Sequence, residues 1–187
     1  ISPKEVFDVT PHAVELTSML IKEPDSWNLP RKFKIGFANG PGDAEKVIIQ
    51  DLGFVAEIRD GKKGFRVYAA GGMGAKPMLG SLLHDFVGEG EIYRVASAIK
   101  KLFNLNGNRK NKHTARLRFL MQKLGRDGFL NIYEKELAKS DPGTDALRFA
   151  DIVNSGIRPD IDPVRHNGEE FRKWKMRFVR NQGIKEL

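Results

Sequence analysis

Two β-forming runs, Gly53-Phe54-Val55-Ala56-Glu57-Ile58 and Gly64-Phe65-Arg66-Val67-Tyr68-Ala69, are joined through Asp60-Gly61-Lys62-Lys63, and this pairing constrains the fold more than any other feature. Asp-Gly tolerates the positive backbone angles of a tight turn, and the flanking branched and aromatic residues suit a pleated ribbon, so the stretch reads as a hairpin. A glycine-rich loop, Gly71-Gly72-Met73-Gly74, leaves the second strand directly.

Around the hairpin the pattern alternates between strand and helix periods. Thr10-Pro11 offers an N-cap hydroxyl and a proline at the first helical position, and Ala13, Leu16 and Leu20 follow at helical spacing, which predicts a helix over 11–22. Glu23-Pro24-Asp25-Ser26 breaks it. The run Lys32-Phe33-Lys34-Ile35-Gly36-Phe37 then alternates strictly, as a strand does with Phe33, Ile35 and Phe37 facing the core. Residues 39–43 form a turn-rich loop, and the segment around Val47 and Ile48 fits helix or strand equally.

From Glu91 the apolar positions Ile92, Val95, Ala96, Ile99 and Phe103 repeat at helical spacing until Asn106-Gly107 stops them. A basic stretch leads into a helix carrying Leu117, Leu120, Met121 and Leu124, closed by Gly125, and a third helical segment covers about 127–139. Strands precede and then mix with helices, so the expected fold is α/β (α+β), a mixed sheet packed by helices. No repeat or heptad is evident.

The 187 residues, 40% of them hydrophobic, suffice for one large domain with a tail. The expected division is a domain over 1–140 and an extended connector and tail over 141–187, because prolines and glycines at 156–168 leave little periodicity and the segment from Phe171 onward leads towards a missing domain. The chain opens on Ile1 within a loop-like stretch, as a processed or excised segment would. It holds no apolar run of bilayer-spanning length and no signal-like start, which predicts a soluble, cytoplasmic protein with no membrane partner.

Chemistry is narrowed most by what is missing. There is no cysteine, which excludes disulfides, thiolate zinc sites, cysteine nucleophiles and self-contained iron-sulfur ligation. His12, His84, His113 and His166 show no metal-ligand spacing, and Met19, Met78, Met121 and Met176 read as core filler or surface chance, so no metal site is expected within the chain. Lys and Arg outnumber Asp and Glu by 32 to 24, for a net charge of +8, which favours anionic partners.

Three constellations could receive an anion. On the strand expected at 32–37, Lys32 and Lys34 share a face roughly 7 Å apart, either as a clamp for a small anion or as the solvated side of an edge strand. The stretch from Asn108 to Arg118 carries Arg109, Lys110, Lys112, His113, Arg116 and Arg118 at a helix start. Its forked guanidiniums suit carboxylates or phosphates, and cations there oppose the helix dipole, which favours a bound anion over a merely solvated face. The glycine loop lets backbone approach a flat cofactor or an anion, yet fits neither a P-loop nor a dinucleotide fingerprint.

The hexapeptide Leu29-Pro30-Arg31-Lys32-Phe33-Lys34, then Asp51-Leu52-Gly53-Phe54-Val55-Ala56, Gly64-Phe65-Arg66-Val67 and the glycine loop resemble, in that order, the siroheme-dependent nitrite and sulfite reductases. The later run Gly107-Asn108-Arg109-Lys110-Asn111, through Ala115-Arg116-Leu117-Arg118-Phe119 to Lys123-Leu124-Gly125, extends the resemblance over about residues 6–139. It implies an oxidoreductase that reduces sulfite to sulfide or nitrite to ammonia at a siroheme coupled to a 4Fe-4S cluster. By position it gives Lys32 and Lys34 the catalytic contact with the anion, where cations polarise the oxyanion and relay protons. It assigns the cofactor's carboxylates to groups around Arg31, Gly71, Gly72, Met73, Asn108, Arg109, Lys112, His113 and Arg116.

The chain departs from that family in lacking the four cluster cysteines, the second half, the ferredoxin-like modules and further active-site arginines. The resemblance therefore implies the first catalytic-type domain alone, inactive in isolation, with electrons from a donor such as a ferredoxin or a flavoprotein. Ala70 stands where many relatives carry another glycine, and residues 39–43 replace a loop that holds cysteines in some members. Two other classes compete: a basic nucleic-acid-binding module, which would show a continuous exposed stripe, and a scaffold domain that has lost haem. No nucleic-acid-binding signature supports the former.

Overall fold

The computed structural model describes residues 5–74 and 76–140, together with 168, 169, 172, 173 and 176. The chain divides into two compact units, Ile1–Val153 and Asn154–Leu187. In the second, the described residues are helical, and Lys173 pairs with Glu169 at 3.2 Å. Apart from Gly168, the connector expected at 156–168 lies outside the described residues.

The first unit is built on a four-stranded sheet of β1 (Ile35–Ala38), β2 (Leu52–Arg59), β3 (Lys62–Ala69) and β4 (Ser81–Gly88), in that spatial order. The hairpin β2–β3 turns in two residues, Asp60 and Gly61, whose φ values of 52° and 72° belong to the turn that matches the twist of paired strands. Lys62 and Lys63 therefore lie in β3, not in the turn. Strand β1 pairs parallel with β2, Ile35 opposite Leu52 through Ala38 opposite Val55. A parallel pair needs a crossover of a dozen or more residues, and residues 39–51 supply it through the short helix α2 (Ala44–Val47), which decides the segment left open between helix and strand.

Strand β4 has no counterpart among the expected elements. Its outer position leaves every residue at least partly accessible, its register against β3 is interrupted, and His84 and Asp85 break the apolar alternation that would reveal it.

Helices cover one face. Helix α3 (Ile92–Asn106) buries Ile92, Val95, Ala96, Ile99, Leu102 and Phe103, and α1 (Thr10–Leu20) and α4 (Leu117–Ala138) pack against it. Beneath them Leu52, Phe54, Ala56, Phe65, Val67 and Ala69 form the sheet side of the main core. Phe37 stacks on Phe54 at 4.9 Å, and Phe65 meets both rings edge-on. On the opposite face a smaller cluster of Ala38, Val47 and Val55 seats α2.

Two local expectations change. Thr10 is the first helical residue of α1 rather than its cap, and the Asp8 carboxylate takes the Thr10 N–H at 2.8 Å; the Thr10 side chain and then this N–H hold Asp8 below its usual pKa. The strand at 32–37 begins only at Ile35: the Lys34 N–H donates to the Asp51 side chain instead of a ladder carbonyl, so strict alternation does not reach back to Lys32. Phe33, Ile35 and Phe37 nonetheless pack on the core. Gly125 ends the first part of α4 as expected, with φ 71° and ψ 167° breaking an otherwise continuous helix. Among the described residues no helix is long and apolar enough to cross a membrane.

Candidate functional site

The carboxylate of Asp51, fully buried just before β2, organises the region. Its Oδ2 accepts the Lys34 backbone N–H at 2.8 Å and Arg116 Nη2 at 2.6 Å, while Oδ1 accepts Arg116 Nε at 3.2 Å. Its backbone carbonyl takes the Ala70 N–H at 2.8 Å, immediately before the glycine loop. One buried acid thus fastens three segments far apart in sequence: the approach to β1, the exit from β3 and the start of α4. A charge-assisted two-pronged contact of this kind fixes orientation as well as distance.

Lys34 is held by its main chain alone. Its N–H goes to Asp51 and its C=O accepts Leu52 N–H at 3.1 Å, which leaves the side chain exposed to solvent. Arg31 and Lys32 are exposed as well and line a groove of about 470 Å³ with Trp27, Phe33 and Lys100, while Lys34 is not part of its lining. Upstream, the approach is fastened by Lys100, itself 1% exposed, which donates to Glu23 at 2.8 Å, to Ser26 at 3.0 Å and to Asp25.

The glycine loop is closed by reciprocal hydrogen bonds between Gly72 and Met78. A Cβ at Gly71 would stand 2.2 Å from the Ile48 carbonyl oxygen, so that position excludes a side chain for steric reasons, whereas one at Gly72 would meet the end of the Arg118 side chain, Nη1 at 2.6 Å, which would have to shift. Met73 is exposed at the tip. Ala70 adopts φ 65°, the left-handed region that favours glycine over a residue with a Cβ.

Residues 108–116 divide by role. Asn108 Oδ1 accepts the N–H groups of Lys110 and Asn111, Asn108 Nδ2 donates to Thr114, and Asn111 Oδ1 accepts the His113 N–H, so the two asparagines shape the loop. Arg109 donates to the Asn28 carbonyl at 2.8 Å and to Asn104, clamping the chain just ahead of Arg31 to the end of α3. Lys112 and His113 are exposed. Arg116 is engaged with Asp51, and Arg118 is buried beneath the glycine loop.

The structure therefore joins Lys34, the glycine loop and Arg116 at one hub, sets Arg31 and Lys32 along the adjoining groove, and places Asn108, Arg109, Lys112 and His113 on the loop that leads into α4. Asp51 and Lys100 carry no role in the sequence analysis, and Arg118 enters it only as one cation of the basic stretch. Asp51 is a lone acid in front of an apolar run, Lys100 interrupts the apolar stripe of α3, and Arg118 sits between the core positions Leu117 and Leu120; each is a charge set in a buried context.

The model of the nitrite and sulphite reductase 4Fe-4S domain matches residues 1–141. The chain belongs to that family. Over 119 residues it is 38% identical to the sulfite reductase [NADPH] hemoprotein beta-component of Chromohalobacter salexigens, which covers 60% of this chain and 21% of that protein. The protein of the same name from Bacillus subtilis is 36% identical over 120 residues, again covering 60% of this chain and 21% of the relative. Among solved structures, NirA of Mycobacterium tuberculosis superposes with a TM-score of 0.65 at 30% identity, covering 74% of this chain and 25% of that one. The chain thus spans about a fifth to a quarter of the length of these relatives, and its mixed sheet packed by helices matches the fold of NirA.

Proposed function

We propose that this chain is the part of a siroheme-dependent sulfite or nitrite reductase that presents Lys32 and Lys34 to the substrate anion. The observation that carries this reading is the Asp51 hub. Three segments that the resemblance assigns separately to anion and cofactor contacts meet at one buried aspartate, two at its carboxylate and the third at its backbone carbonyl.

In this reading the chain contributes positioned positive charge. The fixed main chain of Lys34 aims a solvent-accessible ammonium, and Lys32 adds a second one two residues away. Ammonium groups attract sulfite or nitrite, withdraw electron density from its oxygens, and donate the protons those oxygens need in order to leave as water. Siroheme, when bound, supplies the iron at which electrons reach the anion. The chain has residues that fit its carboxylates: Arg31, Lys112 and His113 are exposed, and Arg118 is buried without an anionic partner among the described residues.

The 4Fe-4S cluster does not fit this segment, because there is no cysteine to ligate it. Cluster, second half and ferredoxin-like modules belong to the remainder of a longer protein, with a ferredoxin or flavoprotein as donor and the cytoplasm as its place. Residues 1–140 then form the domain that embraces the haem, 141–187 lead to the other half, and the segment alone does not turn over. Arg116 turns inward to Asp51, which takes it out of the exposed stripe that a nucleic-acid module would present, and the exposed Arg109 is tied to Asn28 and Asn104.

The test starts with the protein from its native source. A polypeptide longer than 187 residues with siroheme absorption is expected, and Lys32→Met or Lys34→Met in it should lower kcat for sulfite or nitrite by roughly 10²-fold at unchanged siroheme content. A native product that ends at Leu187 and carries no chromophore would sink the reading.

A further inference from the structure

Lys34 is the last residue before the ladder of β1 begins at Ile35, and its main chain is held from both sides. Its C=O accepts the Leu52 N–H at 3.1 Å, and its N–H donates to Asp51 Oδ2 at 2.8 Å. No main-chain hydrogen bond holds Lys32, two residues earlier, among the described residues. The oxygen that takes the Lys34 N–H also takes Arg116 Nη2 at 2.6 Å, while Oδ1 takes Arg116 Nε at 3.2 Å. Two prongs fix the plane of the carboxylate, and with it the direction in which Oδ2 faces Lys34. Arg116 thus acts on Lys34 at one remove, through a fully buried acid.

Stability alone does not call for such a pair. Burying two charges carries a desolvation cost that their attraction barely offsets, and apolar side chains of similar volume often stabilise a fold as well or better. What a two-pronged pair supplies, and an apolar contact does not, is a fixed angle. Here that angle is passed to the backbone of a lysine whose side chain is exposed to solvent. Precision at such a place bears on rate, because misplacing a reacting group by about 1 Å costs on the order of 10²-fold.

We infer that Asp51 and Arg116 are positioning residues for Lys34: Arg116 fixes the Asp51 carboxylate, and the carboxylate fixes the backbone from which the Lys34 ammonium reaches the substrate anion. The inference rests on the function proposed above and deepens it by separating the two lysines, since the pair holds Lys34 and leaves Lys32 to the open groove. It also gives Arg116, to which the resemblance assigns a cofactor carboxylate, an internal partner instead.

The test uses the full-length holoenzyme. Asp51→Asn combined with Arg116→Met removes both charges together, so neither is left buried alone, and the melting temperature and siroheme content should stay at the wild-type level. The kcat for sulfite or nitrite should nonetheless fall roughly tenfold. Added to Lys34→Met, the same double substitution should lower kcat no further, whereas added to Lys32→Met it should lower kcat by the same factor as in wild type. Arg116→Lys, with one prong in place of two, should lie between wild type and Arg116→Met.

An equal loss of kcat with and without Lys34 would show the pair acting on something else and overturns the inference. An unchanged kcat in the double variant overturns it too, and so does a loss of siroheme, which returns Arg116 to the cofactor. Where the double variant does not fold, Arg116→Lys with and without Lys34→Met decides by the same comparison. A wild-type rate in Lys34→Met alone removes the proposed function itself, a result distinguishable because it needs no change at Asp51 or Arg116.

Discussion

The short segment that carries Arg31, Lys32 and Lys34 is fastened at both ends by buried charge, yet the two fastenings are built oppositely. Downstream, a buried acid at 0% exposure grips a guanidinium that is itself only 15% exposed. Upstream, a buried amine at 1% exposure is met by two carboxylates that keep 22% and 31% of their side-chain surface in water. Burying both partners of a pair makes each dependent on the other, whereas partners that reach solvent can be rehydrated when the pair is broken. The downstream end, next to Lys34, is therefore the rigid one, and the upstream end, beside the groove under Arg31 and Lys32, is the yielding one.

Removing Asp51 gives the largest expected effect. Asp51→Ala strands Arg116 and the Lys34 N–H, and should cost about 3–5 kcal/mol in urea unfolding. Lys100→Met keeps the volume, leaves carboxylates that water can reach, and should cost about 1–2 kcal/mol. Equal losses for the two variants would erase the asymmetry. At the edge of the downstream hub, Ala70→Gly relieves a left-handed alanine and should raise stability by about 0.5–1 kcal/mol, net of the freedom glycine gains when unfolded; a loss would mean that the Ala70 methyl contributes more than its backbone angle costs.

The smallest effect concerns a buried contact that is not ionic. His84 Nε2 lies 2.7 Å from the Tyr133 hydroxyl, and burial pushes the imidazole below 6.5 and the phenol above its usual range, so both are neutral near pH 7. A histidine whose folded pKa is lowered contributes stability that is complete above its unfolded value of 6.5 and is lost as pH falls through the folded value. Between pH 7.5 and 5 the melting temperature of wild type should thus fall by more than that of His84→Gln. Parallel curves would show that the proton taken up on acid unfolding is not His84's.

What the sequence disclosed follows the same divide between local and distant partners. The β2–β3 hairpin was legible because its turn, Asp60-Gly61, and its strands are contiguous; α3 and the stop at Gly125 were legible because helical period and glycine act within a few residues. The hubs were not, because Lys34 and Arg116 lie 17 and 65 positions from Asp51, and Glu23 lies 77 from Lys100. Nothing local tells a charge which distant partner it will meet. For the same reason Arg109 and Arg116 read as ligand contacts beside Arg118, although the fold ties Arg109 to Asn28 and Asn104 at the surface and draws Arg116 inward to Asp51.

The break at Gly125 separates two angular settings along what is otherwise one rod. Leu117 to Leu124 hold Arg118 under the glycine loop, and the part beyond Gly125 holds Tyr133 against His84. In an unbroken helix these two aims would be locked together, each added residue turning one relative to the other by about 100°. A swivel between them lets the end that faces the loop keep its phase while the other end drifts in length or register, so the two halves of α4 are free to vary on separate clocks.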